Sequence, residues 1–311
     1  MPSEYGVAVI GSITIDVSVK APRLPRRGQT VVGSDFRLIS GGKGSNQAVM
    51  SAHMGSPTWM VGCVGNDVLN GLVLGSLQQN AVNTKFVSIL EGESTGIAHI
   101  RIDEGGDNDI VIVPLANSKT NQVHVDAFFS DVIDLNVLLL QLEIPVPTVY
   151  YAAKRAKEKG IRVIFDPAPA ISFTDQIYQY IDIITPNETE ASVLTGIEVT
   201  DVATAKEAAE VFHNKGVSTT VITLGDKGVV TLNNDGFHHY EAYPVDAIDT
   251  TAAGDAFTGT LGACLSQGRD FDNSIVYAMA AGALTVTQMG AQPSLPTKEA
   301  IRNFLMERRI K

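Results

Sequence analysis

The chain has 311 residues, 44% of them hydrophobic and 18% charged, which suits one large α/β domain or two smaller ones. Its formal net charge of −11, with no Lys/Arg run longer than a pair, argues against nucleic acid or an anionic membrane as a partner. No stretch approaches the ~18 uninterrupted apolar residues of a membrane helix, and the N-terminus lacks a signal-peptide pattern.

Short apolar runs alternate along the chain with longer segments of helical spacing. We predict buried strands at Val7–Ser12, Trp59–Gly65, Val137–Glu143, Arg162–Ala170, Asp182–Glu188 and Thr220–Gly228. Helices are predicted between them at residues 46–55, 147–160 and 203–216, each ending in a glycine that can cap it. This alternation predicts a mostly parallel sheet with helices on both faces, where ligands bind beyond the carboxyl ends of the strands.

Two cysteines occur, Cys63 and Cys264, and both lie in apolar stretches. One distant pair is not a disulfide framework, so we expect buried free thiols in a reducing compartment. Together with the missing membrane and export signals, this predicts a cytoplasmic protein.

Two regions break the rhythm with alternating patterns, Thr14–Ile39 and Thr95–Leu115. In the second region EGGDN separates two alternating runs, which indicates a hairpin. We expect both regions to form a small β-sheet inserted into the α/β core, either as a lid, a dimer surface or both. The predicted division is an inserted sheet of residues 14–43 and 95–115, and a core of residues 1–13, 44–94 and 116–311.

The stretch SGGKGSNQA, Ser40–Ala48, places three glycines and a lysine before a helix. Glycine permits unusual backbone angles and close approach of a ligand. The stretch is not a Walker A loop, and no GxGxxG dinucleotide fingerprint follows the first strand. A ligand-binding loop and an ordinary connector both fit it. Asn46, a polar amide in the first turn of the helix, favours the ligand-binding loop.

Other polar groups follow the predicted strands. Asp16 and Glu143 are carboxylates that would either accept hydrogen bonds from sugar hydroxyls or lie exposed at the rim. In TPNETEA, Asn187 and Glu190 have capping-box spacing, which is sufficient for a helix start but also suits phosphates or hydrated Mg²⁺. The stretch TLGDKG, Thr223–Gly228, fits a phosphate-binding turn and a plain β-hairpin equally well.

The stretch DTTAAGDAF, residues 249–257, precedes a helix of small residues. Asp255 is either a first-turn acid favoured by the helix dipole or a general base. In the second interpretation, free N–H groups at Ala253, Gly254 and Asp255 form an anion hole beside the base. An anion hole next to a carboxylate base suits phosphoryl transfer to an alcohol.

Eight motifs occur in an order that resembles one family. GSITID, SGGKGSNQA, LQLE, DPAPA, TPNETEA, TLGDKG, DTTAAGDAF and GAQPSLP together are similar to the ribokinase-like (PfkB) carbohydrate kinases. The resemblance covers essentially the whole chain. It implies a three-layer α/β/α sandwich with a mostly parallel central sheet and a small inserted β-lid, and a homodimer formed through the lids.

The resemblance also implies ATP-dependent phosphorylation of the primary hydroxyl of a small sugar, with ribose as the expected acceptor. Asp255 would be the base, and the N–H groups of Ala252, Ala253 and Gly254 would stabilise the transferring phosphoryl group. The implied sugar-binding residues are Thr14, Asp16, Gly41, Gly42, Lys43, Asn46, Glu143 and Asp255.

For the nucleotide, the resemblance implies that Asn187 and Glu190 act at the phosphates and Mg²⁺. The remaining implied nucleotide-binding residues are Thr223, Leu224, Gly225, Asp226, Lys227, Gly228, Gly254 and Met279. It further implies a site for a monovalent cation, usually K⁺, with candidate ligands Asp249, Thr251, Thr285, Gln288, Gly290 and Ser294. A bound cation would offset the repulsion between Asp249 and the ATP phosphates.

Two positions depart from the family pattern. Thr14 stands where ribokinases usually carry an Asn that contacts the sugar, and this change could relax or redirect sugar choice. Met279 stands where a His is common near the adenine, although Met still packs against a base. 2-Deoxyribose or another sugar or nucleoside therefore remains an alternative acceptor. A catalytically silent sugar- or nucleotide-binding protein is an alternative of a different class.

Overall fold

The computed structural model describes residues 5–105, 107–132 and 134–309. Gly106, within the EGGDN hairpin signal, and residues 1–4, 133, 310 and 311 of the predicted core lie outside the described residues. The part described contains 13 strands and 9 α-helices. The strands are β1 Gly6–Ile10, β2 Thr14–Lys20, β3 Asp35–Gly41, β4 Thr58–Gly65, β5 Val82–Leu90, β6 Gly96–Ile102, β7 Asn108–Val113, β8 Leu135–Leu140, β9 Arg162–Phe165, β10 Ile183–Ile184, β11 Thr219–Thr223, β12 Val229–Asn233 and β13 Gly236–Tyr240.

The helices follow the predicted apolar periodicity. They are α1 Lys43–His53, α2 Asn70–Gln79, α3 Gln122–Asp131, α4 Val146–Glu158, α5 Glu188–Thr195, α6 Val202–Asn214, α7 Ala253–Ser266, α8 Phe271–Thr285 and α9 Lys298–Arg309. The glycines predicted to end α1, α4 and α6 are Gly55, Gly160 and Gly216, and all three have positive φ. No helix in the described residues is long and apolar enough to cross a bilayer.

The main sheet has nine strands in the order β13-β12-β11-β10-β9-β8-β1-β4-β5. Its pairs are parallel except at one edge, where β11, β12 and β13 are antiparallel. Along β1, Val7 and Val9 contact one apolar cluster and Ala8 and Ile10 the other, as the period of two requires. Residues of α1, α2, α7, α8 and α9 fill the first cluster and residues of α3 to α6 the second. The predicted sandwich is therefore confirmed.

Several predicted strands end earlier than expected. The strand from Arg162 stops at Phe165, so Asp166 and the rest of DPAPA form a loop. β10 has two residues, and Glu188 already belongs to α5. The chain turns through a short 3-10 helix, Gly225–Lys227, between β11 and β12, so TLGDKG is the turn of an antiparallel hairpin. A polar residue and then a proline follow β9 and β10, and apolar content alone did not reveal these ends.

Four strands form a second sheet in the order β3-β2-β6-β7, which we call the inserted sheet. β2 pairs antiparallel with β3 and parallel with β6, and β6 pairs antiparallel with β7. All four strands come from the two alternating regions, so the expected small inserted sheet is confirmed. Asp16 lies inside β2, whereas the sequence suggested that it follows the first core strand.

The connections between the two sheets are tied together by one buried side chain. Asn117 Oδ1 accepts from the N–H of Ile13 at 2.9 Å, and Asn117 Nδ2 donates to the Ile13 carbonyl at 2.8 Å. Ile13 joins β1 to β2, while Asn117 follows β7, so this side chain links the first and last passages of the chain between the sheets. The inserted sheet is thereby held next to the carboxyl end of β1. Cys63 and Cys264 are buried and form no disulfide, as predicted.

Candidate active site

The carboxyl ends of β9, β10 and β11 and the N-terminus of α7 converge on one cavity of about 180 Å³. The parallel strands bring these ends to the same edge of the sheet, which is where α/β proteins bind ligands. Seven residues singled out from the sequence line the cavity: Lys43, Asn187, Glu190, Thr223, Ala252, Gly254 and Asp255.

Asp255 lies in the first turn of α7 and is 5% exposed. Two amides of α1 hold its carboxylate. Asn46 Nδ2 donates to Oδ2 at 2.9 Å, and Gln47 Nε2 donates to Oδ1 at 3.1 Å. Burial raises the pKa of Asp255 above its ordinary value, although Lys43 and the two amides act in the opposite direction. A carboxylate with a raised pKa accepts a proton from an alcohol more readily than an exposed one.

Ala252, the residue before α7, has a left-handed backbone with φ of 62°. Such a conformation is unfavourable for a residue with a Cβ and is concentrated at functional sites. The sequence suggested that the N–H of Ala253 is free. In the structure it donates to the Thr250 carbonyl at 3.3 Å. The N–H groups of Gly254 and Asp255 have no partner among the described residues. A Cβ added to Gly254 would have no atom within 4 Å, which leaves open space over these donors.

Lys43 begins α1 in the middle of four carboxylates. Burial alone lowers the pKa of its ammonium group, but Asp255, Asp166, Glu143 and Glu190 outweigh this and hold the pKa above its ordinary value. The cation is therefore retained and offsets part of the negative charge that the site concentrates.

The strand β2 of the inserted sheet carries Thr14 and Asp16, which do not line the cavity, although Asp16 is close enough to interact electrostatically with Glu143 and Asp255. Thr14 Oγ1 donates to Asp16 Oδ1 at 3.2 Å. Burial raises the pKa of Asp16 to about 7, the Thr14 hydrogen bond opposes this, and Glu143 and Asp255 add to the increase. A Cβ at Gly41 would lie 2.3 Å from Asp16 Oδ1, so Gly41 is the residue that allows the carboxylate to sit there.

Glu143 lies three residues beyond the end of β8 rather than within the strand. Its Oε2 accepts from Ser12 Oγ at 2.5 Å and from the backbone N–H of Lys43 at 3.0 Å. It thus joins the glycine-rich segment after Gly42 to the end of β1. The structure brings the predicted sugar-side residues together around α1.

Asn187 and Glu190 form the capping box at the start of α5 that the sequence suggested. Asn187 Oδ1 accepts from the N–H of Glu190 at 2.8 Å, and Glu190 Oε2 accepts from the N–H of Asn187 at 2.9 Å. The same residues line the cavity, so capping and ligand contact are compatible. An Asn187–Thr223 bridge continues the parallel pairing beyond β10.

Other predicted nucleotide residues lie away from the cavity. Leu224 is fully buried, and Asp226 and Lys227 line a neighbouring open groove with His239. Met279 is 8% exposed on α8 and packs in the first apolar cluster. None of these four lines the cavity itself.

The candidate cation ligands fall into connected groups. Asp249 Oδ1 accepts from the N–H and Oγ1 of Thr251 at 2.9 and 2.6 Å, and Oδ2 accepts from the N–H of Gly290 at 2.8 Å. The N–H of Gln288 donates to the Thr285 carbonyl at 3.1 Å. The buried Ser294 instead donates to the Ala291 carbonyl at 2.7 Å and has no hydrogen bond to the others among the described residues.

The oxygens of this donor set fit a bound cation. Burial raises the pKa of Asp249, but the hydrogen bonds from Thr251 and Gly290 outweigh it and hold the pKa below its ordinary value, so the carboxylate is charged. In the residues described, no three His, Cys, Asp or Glu side chains cluster as a metal site. A charged carboxylate with a neighbouring hydroxyl oxygen suits an oxygen-bound cation.

The structure adds buried residues that the sequence interpretation did not single out. Asp166 follows β9, is 5% exposed and lines the cavity, and Gln47 Nε2 donates to its Oδ2 at 2.7 Å. Gln141 Nε2 in turn donates to Gln47 Oε1 at 2.5 Å. Asp166 follows a strand just as Glu143 does, and that signal could have identified it. Nothing in the local sequence distinguishes Gln47 from an ordinary helical residue.

Comparison with known proteins agrees with this architecture. The family model for pfkB family carbohydrate kinases matches residues 6–298. A ribokinase of Haemophilus influenzae is 39% identical over 299 residues, covering 96% of this chain and 98% of that protein. A deoxyribokinase of Salmonella typhi is 33% identical over 300 residues, with 96% and 98% covered. An Arabidopsis thaliana ribokinase, solved in complex with ribose and ATP, has a TM-score of 0.89, 30% identity, and 97% and 98% coverage.

Proposed function

Because the chain belongs to the pfkB family of carbohydrate kinases, we propose that it transfers the γ-phosphoryl group of ATP to the primary hydroxyl of ribose. Family membership confirms the resemblance drawn from the eight motifs and makes the chain a carbohydrate kinase. The observation that carries the proposed chemistry is the pairing of a buried, amide-held Asp255 with N–H groups at the start of α7 that have no partner in the part of the chain that the structure describes.

In this mechanism Asp255 takes the proton of the attacking hydroxyl. The hydroxyl oxygen bonds to the γ-phosphorus, the bond from that phosphorus to the β–γ bridging oxygen breaks, and ADP leaves. The N–H groups of Gly254 and Asp255 donate to the oxygens of the transferring group, where negative charge is concentrated. Lys43 offsets part of the negative charge that would repel an anionic nucleotide, because it is a cation among four carboxylates.

Thr14, Asp16, Gly41, Gly42, Asn46 and Glu143 are proposed to hold the sugar. Asp16 and Glu143 supply acceptors for sugar hydroxyls, while Asn46 bridges the sugar side and the base through its bond to Asp255. This arrangement would orient one hydroxyl towards Asp255, and orientation can supply a large part of a rate enhancement.

The proposed sites for Mg²⁺ and K⁺ lie at different places in the structure. Glu190 and Asn187 would hold Mg²⁺ through water and phosphate oxygens, and that ion would neutralise phosphate charge. Asp249, Thr251 and Gly290, with carbonyl oxygens nearby, would hold K⁺ beside the turn that presents Ala252 and Gly254. Asp249 ties this turn to Gly290, in the segment after α8, and so fixes its backbone.

A coupled ATP-consumption screen over pentoses, 2-deoxyribose, hexoses and nucleosides tests the proposal. We expect ribose or 2-deoxyribose to give the highest kcat/KM. Asp255→Asn should bind ATP and sugar but lose about 10²–10⁴-fold in turnover, the usual contribution of a general base. Near-normal turnover in this variant would refute the role of Asp255. If none of the screened acceptors were phosphorylated, a catalytically silent binding protein would be favoured.

A second acceptor, 2-deoxyribose, is favoured by Thr14. Its hydroxyl hydrogen is donated to Asp16, so Thr14 keeps no donor for a sugar hydroxyl. A site that does not hydrogen-bond a given hydroxyl discriminates weakly against a sugar that lacks it. We expect Thr14→Asn, which restores an amide donor, to shift the ratio of kcat/KM towards ribose by about tenfold. An unchanged ratio would show that Thr14 does not set this preference.

We also infer that the inserted sheet, with limits 14–43 and 95–115, acts as a lid and pairs with a second copy. Its edge strands β3 and β7 expose large apolar side chains, among them Phe36 at 60% and Val111 at 57%. The register places both on the face opposite Asp16. Monomeric proteins usually protect edge strands with charge, so apolar edges point to a partner sheet.

A further inference from the structure

Gln47 is a fully buried amide whose hydrogen-bonding groups are all used. Its Nε2 donates to Asp166 Oδ2 at 2.7 Å and to Asp255 Oδ1 at 3.1 Å, and its Oε1 accepts from Gln141 Nε2 at 2.5 Å. The amide presents its nitrogen to the two carboxylates and its oxygen to Gln141, so both polar atoms of this buried side chain have partners.

This amide stands between two carboxylates that repel each other. Asp166 follows β9 and Asp255 lies in the first turn of α7, and both carboxylates accept a hydrogen bond from Gln47 on α1. Each carboxylate is at most 5% exposed, so water screens their repulsion poorly. The Nε2 amide group of Gln47 donates one hydrogen bond to each carboxylate, and this fixes the distance between Asp166 and Asp255.

We propose that Gln47 is a positioning residue that sets the orientation of the Asp255 carboxylate for proton transfer. The terminal torsion of an aspartate is soft, so one hydrogen bond would leave the carboxylate free to rotate. Here each oxygen has its own anchor, Gln47 on Oδ1 and Asn46 on Oδ2. Gln141 holds Gln47 from the opposite side. The inference rests on the proposed function, because it assumes that Asp255 is the base.

The first test is Gln47→Met, which keeps a long unbranched side chain and removes both donors. We expect kcat to fall about 10²-fold, since a displacement of about 1 Å at a reacting group has this effect. KM for sugar and ATP should stay within about threefold, because no substrate-binding residue changes. The matched control is Ser51→Ala, one turn along α1, where the buried Ser51 hydroxyl lies within hydrogen-bond distance of the Gln47 and Gly259 carbonyls. Its kcat should equal that of the wild type.

A pH profile gives a readout that lost packing would not move. Lys43, Asp16, Glu143 and Asp166 are the charged groups that face Asp255. The Gln47 hydrogen bond lowers the pKa of Asp255, so its loss raises that pKa. The acid limb of the kcat profile should therefore move to higher pH in Gln47→Met and stay in place in Ser51→Ala.

The substitution Asp166→Asn distinguishes two roles of Gln47: positioning of the Asp255 carboxylate, and solvation of the Asp166 carboxylate. If Gln47 served only to solvate that carboxylate, Asp166→Asn would make Gln47→Met harmless. We expect instead that Gln47→Met/Asp166→Asn regains stability but keeps kcat about 10²-fold below Asp166→Asn alone. Equal kcat in these two proteins would overturn the inference.

Gln141→Met tests the same contacts without removing a donor from either carboxylate, because Gln141 bonds only to Gln47 Oε1 in this network. Loss of its donor to Gln47 should lower kcat about tenfold with unchanged KM values, in the range seen for supporting residues around active groups. Wild-type kcat in a folded Gln141→Met protein would overturn the proposal. If the wild type itself phosphorylated no acceptor, the proposed function would fail instead, and the two failures are thus distinct.

Discussion

Replacing Asp16 by Asn should stabilise the free protein at neutral pH while weakening its binding of sugar. Asp16 is 7% exposed in β2, and burial raises its pKa from 3.8 to about 7, opposed by Thr14 and reinforced by Glu143 and Asp255. Asn has nearly the same shape and can still accept the Thr14 hydrogen bond. It carries no charge that must be buried, so the substitution removes an electrostatic cost of folding.

The sign follows from proton binding. Between pH 3.8 and about 7, the folded protein holds a proton on Asp16 that the unfolded chain has lost. The contribution of Asp16 to stability is therefore complete below the unfolded pKa and disappears as the pH rises through about 7. A displacement of about three pH units at ~1.36 kcal/mol each gives ~4 kcal/mol as an upper value. Relaxation around the ion reduces this, so we expect a gain of about 2–4 kcal/mol at pH 8.

Urea unfolding of wild type and Asp16→Asn at pH 4, 6 and 8 measures the difference directly. The gain in the free energy of unfolding should be close to zero at pH 4 and largest at pH 8. Asp235→Asn, at an exposed turn before β13, changes the net charge equally and should show no such gain. An Asp16→Asn protein no more stable than wild type at pH 8, or equally shifted at pH 4 and 8, would refute the reasoning. The same variant should bind sugar more weakly, because an acceptor oxygen is lost.

Two further predictions concern the cation and the inserted sheet. Asp249→Ala removes the hydrogen-bond acceptor of Thr251 and Gly290. Initial rates in K⁺ should therefore fall about 10²-fold and become equal in K⁺ and Na⁺. The control is Asp246→Ala, an exposed position on the same segment, which should keep the wild-type salt response. Persistent K⁺ stimulation of Asp249→Ala would exclude this site. Phe36→Lys/Val111→Lys should convert a dimer of the 33.1 kDa chain into monomers in light scattering, and an unchanged mass would place the contact elsewhere.

Local patterns in the sequence predicted the types of elements. The alternation of apolar runs with helical segments predicted the layered α/β core, and terminal glycines marked the ends of α1, α4 and α6. The alternating regions predicted the inserted sheet, and Asn187 with Glu190 predicted the cap of α5. These features depend on residues a few positions apart, so the chain encodes them without reference to the rest of the fold.

The lengths of the strands were harder to predict from the sequence. The predicted strands ran past Phe165 and Ile184, but β9 and β10 stop there, and the next residues, Asp166 and Thr185, line the cavity. A carboxyl-terminal strand edge is where a functional site interrupts regular structure. The sequence pattern therefore overestimated the strands at the point where the site begins.

Which side chains meet was decided by the tertiary structure. Gln47 and Asp255 are separated by 208 positions, and Ile13 and Asn117 by 104, so no local pattern relates them. The same packing turned the N–H of Ala253 to Thr250 and left Leu224, Asp226, Lys227 and Met279 away from the cavity. The sequence alone determined the elements and the carboxylates available to a phosphoryl-transfer site. Only the packing of α1 against α7 could determine how those carboxylates are held, because buried charges depend on neighbours brought from distant parts of the chain.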